Sequence, residues 1–443
     1  MTNTGLAIAT DETSPGLDAA AAEQAGVGDP IWVRDRRQEA WDLFESTPMP
    51  SVRSEEWRYT NLDRMLDLAA LVPSVAGPTQ IPDALQASMD QDRESAGRVV
   101  EIDGRVVSVE LRPDLAEKGV VLESLREAVH RSDETVAEHL TKAVPAEDGK
   151  FAALNTALWT DGVYLHVPRG VVLDAPIRLS RWASQEGTAT FTRILIVAES
   201  TSQVSFVDEI LSPDFDRQTL VSTAVELFAA DGAQIQYVSV QQMGAGAFYL
   251  ANQRTLANRD STLDTLNVAL GGAINRVDLN ARLLGPGANS DMLGLYFGDR
   301  GQHFDFNTSQ DHVSPHAHSD LLYKGALDAD ATGVFRGIIR VHEGAQGTDA
   351  YQTNRNLLLS EKAVANSLPN LEIEADDVRC SHGATIGQLD ADALFYLMSR
   401  GLRREQAERL VVLGFLGEVL SKLPLGGVVE KVTRAIEAKL GYA

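Results

Sequence analysis

Four stretches of this chain repeat one design. "AESTSQVSFV" from Ala198, "AADGAQIQYV" from Ala229, "ANRDSTLDTLNV" from Ala257 and "GPGANSDMLGLY" from Gly285 each pass from a turn through a small residue into an alternating strand. The small residues are Ser202, Ala233, Ser261 and Ser290, at intervals of 31, 28 and 29 residues. A unit of this length cannot bury its own apolar face and must stack on copies of itself. The expectation is a solenoid of β coils spanning roughly residues 152–387, with a fifth copy at "LDADATGVFRGII" after a longer gap. An ordinary β-sandwich with regular turns is the alternative that the period alone leaves open.

The flanks have a different character. Residues 1–28 are small and acidic with no aromatic residue, and are expected to form a disordered tail. Residues 29–151 form a helical and mixed region. A helical pattern runs from Ile31 to about Leu71, with Trp32, Trp41, Leu43 and Phe44 as buried anchors. Within it, "RSEEWRYTNLDRML" has the signature of a helix start, with Ser54 as cap and Glu55 and Glu56 at the positive end of the dipole. A hairpin is expected around Asp103-Gly104, and helix over "SLREAVHRSDETVAEHLTKAV". Residues 388–443 are helical again. Asp390 caps a helix ending at Gly401; a second helix presents Leu410, Leu413, Gly417 and Leu420 on one face until Pro424 and two glycines stop it. A last amphipathic helix covers about Val428 to Leu440.

Charge and composition exclude several functions. With 39 Lys and Arg against 63 Asp and Glu, the net charge is −24, which repels nucleic acid and anionic membranes. The N-terminus lacks the basic and apolar regions of a secretory signal. "RLVVLGFLGEVL" is too short and interrupted to span a bilayer. One cysteine among 443 residues precludes an intramolecular disulfide and fits a reducing cytoplasm. The chain has no G-x-x-x-x-G-K-[ST] loop, hence no ATP site of that type. Its glycine-rich "GAGAF" and "LGPGANS" are turns rather than a dinucleotide fingerprint.

Two constellations carry candidate chemistry. In "DDVRCSHGATIGQLD" the sole cysteine, Cys380, lies two residues before His382. In extended chain such residues face one side, and thiolate and imidazole suit iron, zinc or an iron–sulfur cluster. One thiolate cannot hold a cluster alone, so a cluster here would be shared with another chain or labile. The competing readings are a buried apolar cysteine beside a satisfied histidine, and a Cys–His catalytic pair, for which i, i+2 is an unusual spacing. The second constellation is "GQHFDFNTSQDHVSPHAHSD", with His303, Asp305, Asp311, His312, His316 and His318. It offers metal ligands, or simply polar side chains on an exposed face or in a turn-rich insertion.

At "TDAYQTNRNLLLS", "PNLEIEADDVRCSHGATIGQLD" and "LFYLMSRGL", and also at "HSDLLYKGAL" and "VFRGIIRV", the sequence closely resembles the SufB/SufD family of scaffold proteins in Suf iron–sulfur cluster assembly. The N-terminal "RSEEWRYTNL" and the absence of further cysteines in the β region resemble the SufD branch. The resemblance implies a mainly β fold, a right-handed parallel β-helix flanked by helical N- and C-terminal regions. It implies a non-enzymatic scaffold that pairs with a SufB-like partner and binds the ABC-type ATPase SufC. A transient iron or iron–sulfur cluster would be shared with SufB, and the complex can carry reduced flavin, though no motif here places it. Cys380 and His382 would lie near the SufB–SufD interface, where His382 is the stronger iron ligand. Phe395, Tyr396 and Arg400 would help dock the ATPase. Other outcomes are a SufB-like paralogue, a homodimer of the isolated chain, and a polysaccharide-lyase type of β-helix enzyme.

Overall fold

The computed structural model describes residues 16–77, 79–92, 94–423, 425 and 427–441. Its core is a parallel β-solenoid of about eight turns. Each turn contributes one strand to each of two ten-stranded sheets, so alternate strands in sequence are neighbours in space. In one sheet, strands Gln203–Leu211, Gln234–Gln242, Thr262–Ala269, Asn289–Gly298, His318–Leu327, Thr348–Leu358 and Val378–Gln388 stack in that order. The facing sheet ends in Ile274–Leu283, His303–His312, Thr332–Val341 and Val364–Ile373. Inward residues of the two sheets fill the lumen between them.

The repeat seen in the sequence is one column of this stack. Gln203, Gln234, Thr262, Asn289 and His318 are in register, so the small residues before them stack at the corner. That column runs Ser202, Ala233, Ser261, Ala288, Ala317, and every member is buried. Ser290 is therefore not its fourth member: it sits two residues further on, paired with Ser319 inside the strand. The assignment slipped because Ala288 and Ser290 are both small and turn-adjacent. "LDADATGVFRGII" is a genuine coil, but its strand Thr332–Val341 belongs to the facing sheet, so it is not a fifth member of this column.

Lumen packing matches bulky rings to missing side chains. Tyr296, Phe306, Tyr323 and Phe335 form a chain of ring contacts with centroids 5.0–5.4 Å apart. Tyr323 lies over Gly294 and Tyr296 over Gly325, each on the neighbouring strand.

Both outer faces carry helices. On one, helices Ile31–Ser46 and Lys150–Leu158 join Trp41, Leu154 and Leu158 to Leu195, Leu220 and Leu250. On the other, helices Arg404–Lys422 and Val428–Lys439 bury Val412, Leu416, Val419, Val432 and Ile436 against Val207, Val238, Leu266, Leu293 and Leu322. Those five sheet residues form one outward column of in-register strands. No helix among the described residues is long and apolar enough to cross a membrane.

Several local expectations are corrected. Residues Ala19–Ala25 of the expected disordered tail form a helix capped by Asp18, because Ala21 and Ala22 find a buried seat; residues 1–15 lie outside the described residues. The helix expected through Leu71 ends at Ser46. Ser54 does not cap: its hydroxyl donates to the Ser51 carbonyl at 2.9 Å, and only a 3-10 turn, Glu55–Trp57, follows. Trp41 is buried, whereas Trp32, Leu43 and Phe44 are only half-buried. The helix over residues 124–144 is two short ones, Leu125–His130 and Glu134–His139, broken where Ser132 takes φ 60°. The solenoid also recruits the mixed region. Strand Gly97–Ile102 pairs in parallel with Ile177–Trp182, and its hairpin partner Arg105–Leu111 turns through Asp103 and Gly104, both with positive φ. Helix Lys150–Leu158 straddles the expected boundary at residue 152, and the first full coil strand starts at Asp161. In the C-terminal region Leu410 is half exposed, so the packed stripe is Val412, Leu416, Val419 and Leu420 instead. Pro424 and Gly426 lie outside the described residues; Gly427 has φ 86°.

Two predictions follow from this packing. A Cβ at Gly325 would lie 2.1 Å from the Tyr296 ring, so Gly325→Ala is expected to destabilise the chain by about 1–3 kcal/mol in urea unfolding. The second concerns outward carboxylates under helix Arg404–Lys422. Asp291 pairs with Asp320, and the Asp291 amide donates to Asp264 Oδ1 at 3.0 Å. Desolvation, opposed by that hydrogen bond and reinforced by the Asp291 charge, pushes the Asp264 carboxyl up to about 6. The folded chain thus holds this proton more tightly than the unfolded chain. The resulting stability is fully present below about pH 4 and is lost as pH rises through about 6. Asp264→Asn keeps the acceptor and removes the charge. It should be more stable than the native chain at pH 7.5, by about 1 kcal/mol after solvent screening, with the gap closing near pH 4.

Candidate functional site at the open end of the solenoid

The two ends of the stack differ. At the N-terminal end, hairpin strand Arg105–Leu111 and short strand Val121–Ser124 pair antiparallel onto the sheets and terminate them. At the other end the outermost strands are Val364–Ile373 and Val378–Gln388, and among the described residues nothing pairs with their outer edges. Val364, Leu371, Ile373 and Ile386 are 37–47% exposed there. An open edge with apolar side chains is a template for another strand.

Cys380 and His382 sit on this last coil. Their strand registers with Thr348–Leu358, placing Cys380 on Ala350 and His382 on Gln352. Ala350 and Gln352 are buried lumen residues, so both members of the pair face the mouth of the lumen, as their i, i+2 spacing requires. Cys380 is half-buried against a cluster of Ile339, Val341, Ala345 and Ala350. Desolvation pushes its thiol up; the Ala350 backbone hydrogen bond opposes this and nearby Asp349 adds to it. Cys380 therefore rests as a thiol, and metal binding would have to displace its proton. His382 is exposed, and among the described residues its imidazole has no hydrogen-bond partner. The thiol is partly accessible, and it packs as a partly buried side chain against that apolar cluster.

No group of three or more His, Cys, Asp or Glu among the described residues could hold a metal ion.

The structure does not bring the second constellation together. It forms regular coil strands rather than an insertion. His303 and His312 stand at opposite ends of one ten-residue strand, about 30 Å apart. His303 is buried under the N-terminal region, with Nε2 2.8 Å from Thr60 Oγ1, which also donates to Asp305 at 2.5 Å. His312 is buried with Nε2 2.8 Å from Ser319 Oγ, and desolvation pushes its pKa down to about 4. His316 occupies a turn with φ 58°, and His318 opens the next strand, exposed. Asp311 pairs with Arg282 and His342. What sequence reasoning missed is a clamp: Arg276 lies 3.6 Å from the Trp57 ring centroid, donates to the Glu56 carbonyl at 3.1 Å and pairs with Asp305. "RSEEWRYT" is therefore a strap across the sheet.

Beside the open end, helix Ala391–Ser399 begins where Asp390 accepts from the Asp392 and Ala393 amides, and Gly401 follows its last turn with φ 94°. Only Leu394 is buried. Phe395 is 74% and Tyr396 56% exposed, with the Arg400 guanidinium 5.1 Å from the Tyr396 ring. Phe395, Met398, Leu358 and Leu359 help line a groove of about 330 Å³.

Comparison with known proteins places this architecture. Residues 181–415 match the family model "SUF system FeS cluster assembly, SufBD core domain", and residues 28–179 match "SufBD protein N-terminal region". The chain is 29% identical over 418 residues to the iron-sulfur cluster assembly protein SufD of Bacillus subtilis, covering 93% of this chain and 95% of that protein. It is 27% identical over 414 residues to a SufBD family protein of Staphylococcus haemolyticus, covering 91% and 88%. The strap over residues 53–60 and the last coil with Cys380 and His382 fall within the two matched segments, and the chain belongs to the SufBD family of iron–sulfur cluster assembly proteins.

Proposed function

We propose that this chain is a SufD-type scaffold subunit. A SufB-like partner closes its open solenoid end, and a SufC-like ATPase docks on its C-terminal helices. Iron loading and nascent cluster formation take place at the closed junction. The observation that carries this reading is the placement of Cys380 and His382 on the last coil, beside two unpaired sheet edges. Pairing there would satisfy the edge backbone and bring a partner's donors up to a thiol and an imidazole. A neutral imidazole nitrogen can bind Fe(II) directly. The exposed Phe395 and Tyr396, on the short helix that precedes the one seated on the sheet, support docking of a second protein. The chain has no P-loop, so ATP hydrolysis belongs to that protein. Family membership leaves no support for the polysaccharide-lyase reading, and a homodimer would use the same open end.

The test is co-purification under anaerobic conditions, with subunit stoichiometry read by native mass spectrometry. Recovery with a cysteine-bearing homologue and a P-loop ATPase is expected; recovery as a homodimer alone contradicts the heteromeric reading. Two substitutions separate the surfaces. Cys380→Ala with His382→Ala should abolish cluster assembly while leaving the unfolding midpoint within a few degrees, since both residues are partly exposed. Phe395→Asp should cost about 2 kcal/mol or more of ATPase binding, measured by titration calorimetry, and leave partner-scaffold binding unchanged.

A further inference from the structure

We infer that Gln352 is the positioning residue for His382, holding its imidazole so that one nitrogen faces out of the open end; this rests on the proposed role of His382 as an iron ligand. Gln352 is 0% exposed, yet neither amide atom has a hydrogen-bond partner. A buried, unpaired amide costs about 1–3 kcal/mol and calls for a partner that the isolated coil does not supply.

The surroundings say where that partner lies. Below Gln352 in its lumen column come Leu321 and then Met292, neither of which can take a hydrogen bond from an amide. Across the lumen the amide rests over Gly337, where a Cβ would stand 2.4 Å from Oε1. The missing side chain of Gly337 therefore leaves room for the amide to cross the lumen. Above it, one strand further out and in register, stands His382, whose imidazole is also without a partner. In-register neighbours on one face of a sheet lie about 4.8 Å apart, so a small rotation brings Oε1 to a ring N–H. The ring nitrogen donates and Oε1 accepts. This fixes the tautomer and directs the other nitrogen's lone pair outward, where a metal ligand needs it. Two further unpartnered polar atoms lie nearby: Oε1 of Gln310, whose Nε2 donates to the Tyr351 carbonyl at 3.1 Å, and the Ser367 hydroxyl on the last strand of the facing sheet. The Ser367 hydroxyl can accept from the amide nitrogen or donate to Oε1, and only the second contact competes with the His382 ring.

The experiment is nitrogen-15 NMR of the full chain labelled at histidine, with the His382 signals assigned by His382→Gln. Gln352→Met keeps the shape and removes the hydrogen bond; Gln352→Glu keeps an acceptor oxygen; Ser367→Ala removes the rival. One dominant His382 tautomer is expected in the native chain and in Ser367→Ala, largely kept in Gln352→Glu. Gln352→Met should give a mixed population with an unchanged unfolding midpoint. Fe(II) affinity of the assembled complex should fall about 10–100-fold in Gln352→Met. Identical His382 signals in the native chain and Gln352→Met overturn the inference, whether the amide bonds to water or to Ser367. The two readings fail separately. An unaltered tautomer removes the role of Gln352 while leaving His382 as ligand, whereas full iron binding by His382→Ala removes the ligand role itself.

Discussion

A parallel stack of coils has to be finished at both ends, and this chain finishes its two ends differently. Inside the stack each strand is hydrogen-bonded on both sides, in register through seven successive strands of one sheet. The N-terminal end spends two antiparallel strands and a layer of helices on closure. The C-terminal end leaves Val364–Ile373 and Val378–Gln388 with an edge each. Isolated edges of this kind are aggregation hazards that proteins cover or blunt. Covering by a partner is the reading under which the open end is a functional surface.

That asymmetry explains the company the cysteine keeps. Much of the lumen is filled by aromatic rings and aliphatic side chains, from Phe206 and Tyr237 to Tyr323 and Phe335, with a buried polar cluster of Arg181, Glu101 and Asp208 in the early coils. In the last two coils Gln352 and Ser367 carry buried polar atoms without a partner among the described residues, near the half-buried Cys380 and the exposed His382. An unpaired buried polar group is costly, so each one at this end calls for a partner or a functional reason. The C-terminal helices tie the same region to the rest of the molecule. Lys324 from the sheet pairs with Glu418, and Lys431 reaches Asp92 and Glu209, so these helices are tied to the body of the molecule by ion pairs.

Much of this was legible in the sequence because the solenoid writes its period directly into the chain. Turn, small residue and alternating strand recur wherever a coil closes, and Cys380 and His382 face one side because strand alternation leaves no other choice. What was not legible depended on register across coils. Ser290 could be distinguished from Ala288 only by knowing that Asn289 stacks on Thr262. The histidines from His303 to His318 look clustered along the chain, but a strand spreads its ends about 30 Å apart. Ser54 and Leu410 failed for another reason: local helix chemistry was overridden by a strap that docks through Trp57 and by the face that Val412 and Leu416 bury. Gln352 carried a signal that alternation alone could have raised, a glutamine at an inward position between Ala350 and Asn354.

The most direct test of the open end is backbone hydrogen exchange of the chain alone and in complex with its partner scaffold. The account predicts fast exchange of the outward-facing amides of Val364–Ile373 and Val378–Gln388 in the isolated chain, and strong protection of the same two strands in the complex. Equal exchange in both states, or protection confined to another face, would contradict it.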